Sequence, residues 1–254
     1  MYTPQQYTEI FHLLFIRHLE SKLSKKLYAL KGGCNLRFFF KSIRYSQDID
    51  FDTKTIAKET LRHKISTILK SLAFEQNLYI KGIEINHLSE PKQTPITQRW
   101  KIHLRISGLN LPIPTKIEFS RRTMDEKTTL FEPIDTELIH TYQVFPILAN
   151  HYTAEAAFSQ KISALIHRTE TQARDIFDLY LLMPIIKRRT NIKSRFSKSD
   201  IERAIENIAT LGFKDFKGQV VAYLMADYQN YYNSEKIWNE IQTKVTINLS
   251  ELKQ

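Results

Sequence analysis

The chain has 254 residues, 42% hydrophobic and 25% charged, enough apolar side chain to bury the core of one large or two modest domains. Its single cysteine, Cys34, rules out an intramolecular disulfide framework and suits a reducing compartment. With 37 Lys and Arg against 27 Asp and Glu the net charge is +10, which favours a polyanionic partner through counterion release and electrostatic steering.

Pro4 to Tyr28 reads as an amphipathic helix: Tyr7, Phe11, Leu14, Phe15, His18 and Leu19 recur at helical spacing, and Pro4 suits a first turn. Ala29-Leu30 is a short buried strand running into Gly32-Gly33, and Asn35 to Lys41 is a short helix. Asp48 to Phe51 follows as a strand and Thr55 to Leu72 as a second amphipathic helix. Leu78 to His87, Arg99 to Ser107 and Thr115 to Ser120 alternate as strands do, with Pro91, Pro95, Pro112 and Pro114 expected between them, where a missing N–H does least harm. From Thr153 the period is helical, giving Ala154 to His167, Arg174 to Met183 before Pro184, Lys198 to Ala209 and Lys214 to Tyr232. The expectation is an α/β domain over residues 1–150 and a helical domain over 151–254, without internal repeats. No basic-then-apolar leader opens the chain and no apolar run is long enough to span a bilayer, so no membrane role and a cytoplasmic location are expected.

The densest chemistry lies in Lys31-Gly32-Gly33-Cys34-Asn35-Leu36-Arg37, followed by Arg44-Tyr45-Ser46-Gln47-Asp48-Ile49-Asp50-Phe51-Asp52. In a strand, residues i and i+2 share a face, so Asp48 and Asp50 present two hard oxygen donors side by side, the outline of a divalent-cation site. A turn or helix-capping pair is the simpler alternative. A glycine pair ahead of a helix lets backbone N–H groups approach an anion. Asp52 is expected to cap the Thr55 helix. His63, His103, His151 and His167 are scattered without zinc-ligand spacing.

Together these two segments resemble the first motif of the polymerase-β-like nucleotidyltransferases. Their fuller form, Lys-Gly-Gly-x-x-Leu-Arg with Arg-x-Ser-x-Asp-Ile-Asp-Phe, is similar to the AbiEii/AbiGii toxin family. Lys116-Ile117-Glu118-Phe119-Ser120, and Gln160-Lys161-Ile162-Ser163-Ala164-Leu165 through Arg168 to Arg174-Asp175-Ile176-Phe177-Asp178-Leu179, resemble later family segments in the expected order. The resemblance implies a mixed α+β fold: a polymerase-β-like core with a mixed sheet, and a C-terminal helical bundle completing the active-site cleft. It implies a metal-dependent nucleotidyltransferase that moves a nucleoside monophosphate from a nucleoside triphosphate to an acceptor, RNA such as a tRNA 3′ end. Its setting would be the toxin-like half of a type IV toxin–antitoxin or phage-defence pair, with a cognate antitoxin as partner.

On that resemblance Asp48, Asp50 and a third acid hold Mg²⁺ or Mn²⁺. Glu118 is the choice for the third, because an acid between Ile117 and Phe119 in mid-strand demands a partner, a cation or an adjacent basic residue. Gly32 and Gly33 would hold phosphates by their N–H groups, assisted by Ser46 or Arg44. Lys161 would bind the triphosphate with Arg168 on a related helix face, and Asp175 would orient it. Arg174 and Asp178 are expected to form a structural ion-pair network. Cys34 departs from the Thr or Ser common in the family, and a thiol is the weaker donor. The basic stretch with Arg188, Arg189 and Lys193 is a candidate for tracking an RNA backbone; a solvated interhelical loop accounts for it equally well. Tyr223 to Tyr232 is expected to pack rather than to stack bases. Two other function classes compete: a catalytically lapsed fold that binds nucleic acid or a partner protein, and a nuclease using the same acids. The glycine pair and Lys161 are better explained by a triphosphate than by a scissile backbone.

Overall fold

A computed structural model of the chain describes residues 2–122, 124–186, 192 and 194–253. Arg188, Arg189 and Lys193 lie outside the described residues. The chain divides into two compact units, Met1–Phe39 with Tyr45–Tyr152, and Phe40–Arg44 with Thr153–Gln254.

The first unit opens with α1 (Pro4–Lys22), started by a reciprocal capping box between Thr3 and Gln6. Phe11, Phe15 and Leu19 are buried as the periodicity requires, but the helix stops at Lys22, and Tyr28 already belongs to β1 (Tyr28–Lys31). β1 runs without a loop into α2 (Gly32–Phe39), three residues earlier than the expected start at Asn35. β2 (Ile49–Thr53) is followed by α3, which spans Lys58–Leu69 and not Thr55 onward. A separate helix, α4 (Leu72–Tyr79), takes up the start of the stretch read as a strand from Leu78. β3 (Ile83–Gln93), β4 (Thr97–Ile106) and β5 (Ile113–Arg121) form where alternation is strongest. In this unit β6 (Thr129–Pro133), α5 (Thr136–Thr141) and β7 (Leu148–Tyr152) escape the sequence reading, as does the helix over Glu235–Ser250 in the other unit.

The seven strands make one mixed sheet in the order β3-β4-β5-β2-β1-β7-β6. β2 is antiparallel to β1 and parallel to β5, and β1 is parallel to β7. Pro91 and Pro114 are inside strands rather than between them. Pro91 is tolerated because β3 is an edge strand whose register slips between Ser89 and Lys92, so the missing N–H breaks no regular ladder. Trp100, Phe51 and Phe119 are fully buried, the last two stacked with centroids 4.7 Å apart, and join Phe11 and Phe15 of α1 in the core.

The second unit contains α6 (Ala154–His167), α7 (Ala173–Leu182), α8 (Lys198–Ala209), α9 (Phe213–Gln219), α10 (Ala226–Tyr232) and α11 (Glu235–Ser250). The single helix read over Lys214 to Tyr232 is broken. Leu224 and Met225 are extended because the Met225 N–H donates to the Ile43 carbonyl (2.9 Å) and Leu224 bridges Arg44, a tertiary bond that the local pattern does not encode. Phe216 stacks on Trp238 at 4.6 Å, and Phe177 meets Phe216 and Tyr232, which form the core of this unit. Among the described residues no helix is long and apolar enough to cross a membrane.

Candidate active site

In β2, Ile49 and Phe51 fill the core, so Asp50 and Asp52 point to the other face. The parallel register sets Asp50 beside Glu118 of β5; the antiparallel registers set Lys31 beside Asp50 and Arg99 beside Glu118. One transverse row of the sheet therefore reads Lys31, Asp50, Glu118, Arg99. Arg99 grips Glu118 at 2.7 Å, and Lys116 reaches Asp48, just before β2, at 2.8 Å. Lys31 turns to Asp52 (2.5 Å), which also accepts from the Tyr152 hydroxyl (2.8 Å). Asp52 is thus a buried anchor and not the expected cap; the N-cap of α3 is Ala57, with no side-chain bond.

Asp50 is left with no hydrogen bond or ion pair at its carboxylate among the described residues. Burial raises its pKa; Lys31 and Lys116 pull down, and the charges of Asp48 and Glu118 push up. Gly32 lies against it. Its φ of 68° lets β1 turn directly into α2, and a Cβ there would meet Asp50 Oδ2 at 3.1 Å. Gly33 follows in the first turn of α2.

The backbone leading to these acids is held from three sides. Ser46 Oγ donates to the Asp48 carbonyl (2.8 Å), Thr115 Oγ1 donates to the Gln47 carbonyl (2.7 Å), and the Cys34 thiol reaches the Asp48 carbonyl (3.3 Å). A histidine does neighbour Cys34 in space: His12 Nδ1 is 3.5 Å from the sulfur, and Nε2 is 2.8 Å from Thr115 Oγ1. Burial pushes the thiol pKa well up and the imidazole down to about 3, so this pair stays neutral and props the chain rather than acting as nucleophile and base.

No group of three or more His, Cys, Asp and Glu among the described residues is already arranged around a metal position, since Lys116 and Arg99 hold two of the three acids. The donor set nevertheless fits a divalent cation in kind. It offers three hard carboxylates, Asp50 and Glu118 on adjacent strands and Asp48 just before the first of them, with Asp50 unpartnered among the described residues and destabilised by burial and by its neighbours' negative charge.

A second charge cluster belongs to the second unit. Thr153 caps α6, which carries Lys161; its Nζ lies 2.8 Å from Asp175 and 2.7 Å from Asp178, both on α7 and both fully buried. Arg44 clasps Asp178 with Nε and Nη2 at 2.8 to 3.1 Å, and Arg168 Nε stands 3.2 Å from Asp175 Oδ2 as an ion pair without hydrogen-bond alignment. Burial alone would raise the Asp178 pKa and lower that of Lys161. The opposite charges outweigh it, holding Asp178 low and Lys161 high. Three cations against two carboxylates leave one net positive charge. Arg174 has no part in this network; its place is taken by Arg44, 134 residues from Asp178 in sequence and thus beyond any local signal.

Solved structures share this fold. The protein JHP933 from Helicobacter pylori aligns over 99% of this chain and 95% of its own, at 17% identity and TM-score 0.59. MenT4, the nucleotidyltransferase toxin Rv2826c from Mycobacterium tuberculosis H37Rv, aligns over 98% of this chain and 94% of its own, at 13% identity and TM-score 0.62. The fold is that of nucleotidyltransferase toxins. The family model for the nucleotidyl transferase AbiEii toxin of type IV toxin–antitoxin systems matches residues 13–234, and the chain belongs to that family. Among curated proteins none matches the sequence.

Proposed function

We propose that this chain is a metal-dependent nucleotidyltransferase of the cytoplasm that transfers a nucleoside monophosphate from a nucleoside triphosphate to an RNA acceptor, such as a tRNA 3′ end, with a cognate antitoxin as its partner. Family membership supports the reaction class and the antitoxin partner, the net charge of +10 supports an RNA acceptor, and the observation that carries the metal dependence is the Asp50 carboxylate, unpartnered beside Asp48 and Glu118 and pressed against Gly32. Mg²⁺ or Mn²⁺ held by Asp48, Asp50 and Glu118 would neutralise charge developing on the attacking and leaving oxygens. Gly32 and Gly33 keep side chains away from the start of α2, so its first N–H groups are open to phosphate. The Ser46 and Cys34 contacts hold the Asp48 backbone in place, and Lys116 and Arg99, which now pair with Asp48 and Glu118, would have to release these acids for them to hold a cation. In the second unit Lys161 and Asp175 are locked together, so they supply fixed charge and orientation. Arg168, the most exposed of the three cations, is the group free to swing onto a phosphate, with Arg44 held as support.

In the reaction the acceptor hydroxyl loses its proton, a new O–P bond forms at the α-phosphorus and the bond to pyrophosphate breaks. Incubation with each α-labelled nucleoside triphosphate, Mg²⁺ or Mn²⁺ and total RNA should yield labelled RNA, absent with Asp50→Asn. Label on protein alone would replace RNA as the acceptor. No label with any triphosphate would favour the lapsed-enzyme reading, for which the ready-made Asp48–Lys116 and Glu118–Arg99 pairs speak.

A further inference from the structure

β4 reads Arg99-Trp100-Lys101-Ile102-His103-Leu104-Arg105. Trp100, Ile102 and Leu104 are fully buried, so the four alternate residues face the other way, and Lys101 and Arg105 among them are exposed. No acid interrupts this row. Its neighbours across the sheet add to it: Lys92 of β3 lies opposite Arg99, His87 opposite His103, and Lys116 of β5 opposite Lys101. Like charges directly opposed on adjacent strands destabilise a sheet, and two cationic pairs, Lys92 with Arg99 and Lys101 with Lys116, meet here, of which Glu118 and Asp48 offset only Arg99 and Lys116. Acids enter the face only at its margins. Glu118 takes Arg99, while Arg105 passes over Glu84 opposite it and donates to Asn86 at 2.7 Å. Among the described residues Lys92 and Lys101 have no acidic partner.

We propose that this outward face of β3, β4 and β5 is the docking surface for the phosphate backbone of the acceptor RNA, an inference that rests on the nucleotidyl-transfer reading above. Basic groups recur along β4 every second residue, ~7 Å apart, and each can displace a counterion from a phosphate. The row ends at Arg99 and Lys116, the residues that touch Glu118 and Asp48, so an RNA strand on this face leads to the acids. Its outward positions carry no Phe, Tyr or Trp to stack a base, so the surface positions RNA without reading sequence.

The test is the salt dependence of binding to a fluorescein-labelled RNA hairpin with an unpaired 3′ end, measured without nucleotide or divalent metal. The variant is Lys92→Gln with Lys101→Gln and Arg105→Gln. Its control, Lys70→Gln with Lys217→Gln and Lys236→Gln, removes the same charge from other exposed positions. The first triple should bind at least about tenfold more weakly at low salt, with a log–log slope shallower by about 2 to 3 and no loss of melting temperature. The control should keep the wild-type slope. Equal binding by wild type and the first triple, or equal weakening by both triples, overturns the proposal. So does loss of binding to polyglutamate with RNA binding intact, which would assign the face to an acidic protein. Because no triphosphate is present, an inactive enzyme would leave this result standing, and a failed docking surface would leave the transfer assay standing.

Discussion

Asp178 and Asp50 are both carboxylates drawn away from water, and they are treated in opposite ways. Asp178 receives Arg44 and Lys161 on its two oxygens, and its pKa falls despite burial; Asp50 receives nothing, faces two like charges, and its pKa rises. In the first arrangement the opposite charges outweigh burial, so the carboxylate is held as an anion more firmly inside than in water, and removing either side of the pair would strand a buried charge. The second costs the fold something, a cost that the proposed cation would relieve. The sign of the pKa shift thus separates a carboxylate that is paired within the fold from one that is not.

The largest effect that sharpens this contrast is on stability. Asp178→Asn leaves Arg44 and Lys161 buried without their shared counter-charge and should cost about 3 to 5 kcal/mol in chemical denaturation. Asp50→Asn should do the reverse, losing about 3 kcal/mol of transition-state stabilisation, a hundredfold or more in transfer rate, with no fall in melting temperature. A destabilised Asp50→Asn protein would break the comparison. Gly32→Ala forces a Cβ into the left-handed region and to 3.1 Å from Asp50, and should cost about 1 to 2 kcal/mol by thermal melting.

The smallest effect is a difference in pH dependence. A lowered folded pKa means that the contribution of Asp178 is present above the unfolded value of about 3.9 and is lost as pH falls through the folded value. A raised folded pKa means that Asp50 takes up a proton first in the folded state, so its penalty is present near neutrality and disappears as pH falls toward about 3.9. The stability advantage of Asp50→Asn over wild type should therefore shrink on acidification across that window. Parallel stability–pH curves for the two proteins would contradict the assignment.

Much of this was legible in the sequence where local signals agree. α6 and α8 occupy the ranges read from periodicity, Ala154–His167 and Lys198–Ala209, because a Thr or Ser cap and an apolar stripe mark the same boundary. The strand carrying Asp50 was visible from its alternating acids and apolar residues, whereas its parallel register with Glu118 belongs to the folded sheet alone. β6 and β7 were not visible: Leu130 and Leu148 on them are exposed and carry no clean alternation, so pairing within the sheet decides their structure. Arg44 enters as a candidate phosphate ligand, with Ser46 as the alternative, on the family resemblance. Only the folded chain shows it bound to Asp178, since that bond joins distant segments. The family resemblance supplied the order of the motifs; it could not supply the partners that tune each acid.

The edge strand β3 has a consequence for the behaviour of the protein at high concentration. An eleven-residue edge offers a row of open peptide groups on which a second chain can build, the usual seed of ordered aggregates. Here regular pairing runs only from Ile83 to Ile85, from His87 to Ser89 and from Lys92 to Gln93, with a register slip at each break and Pro91 in the second. No stretch of that edge is long or straight enough to template another strand, and its exposed Lys92 repels its own kind. Pro91 and the two register slips thus blunt this edge against strand-by-strand growth.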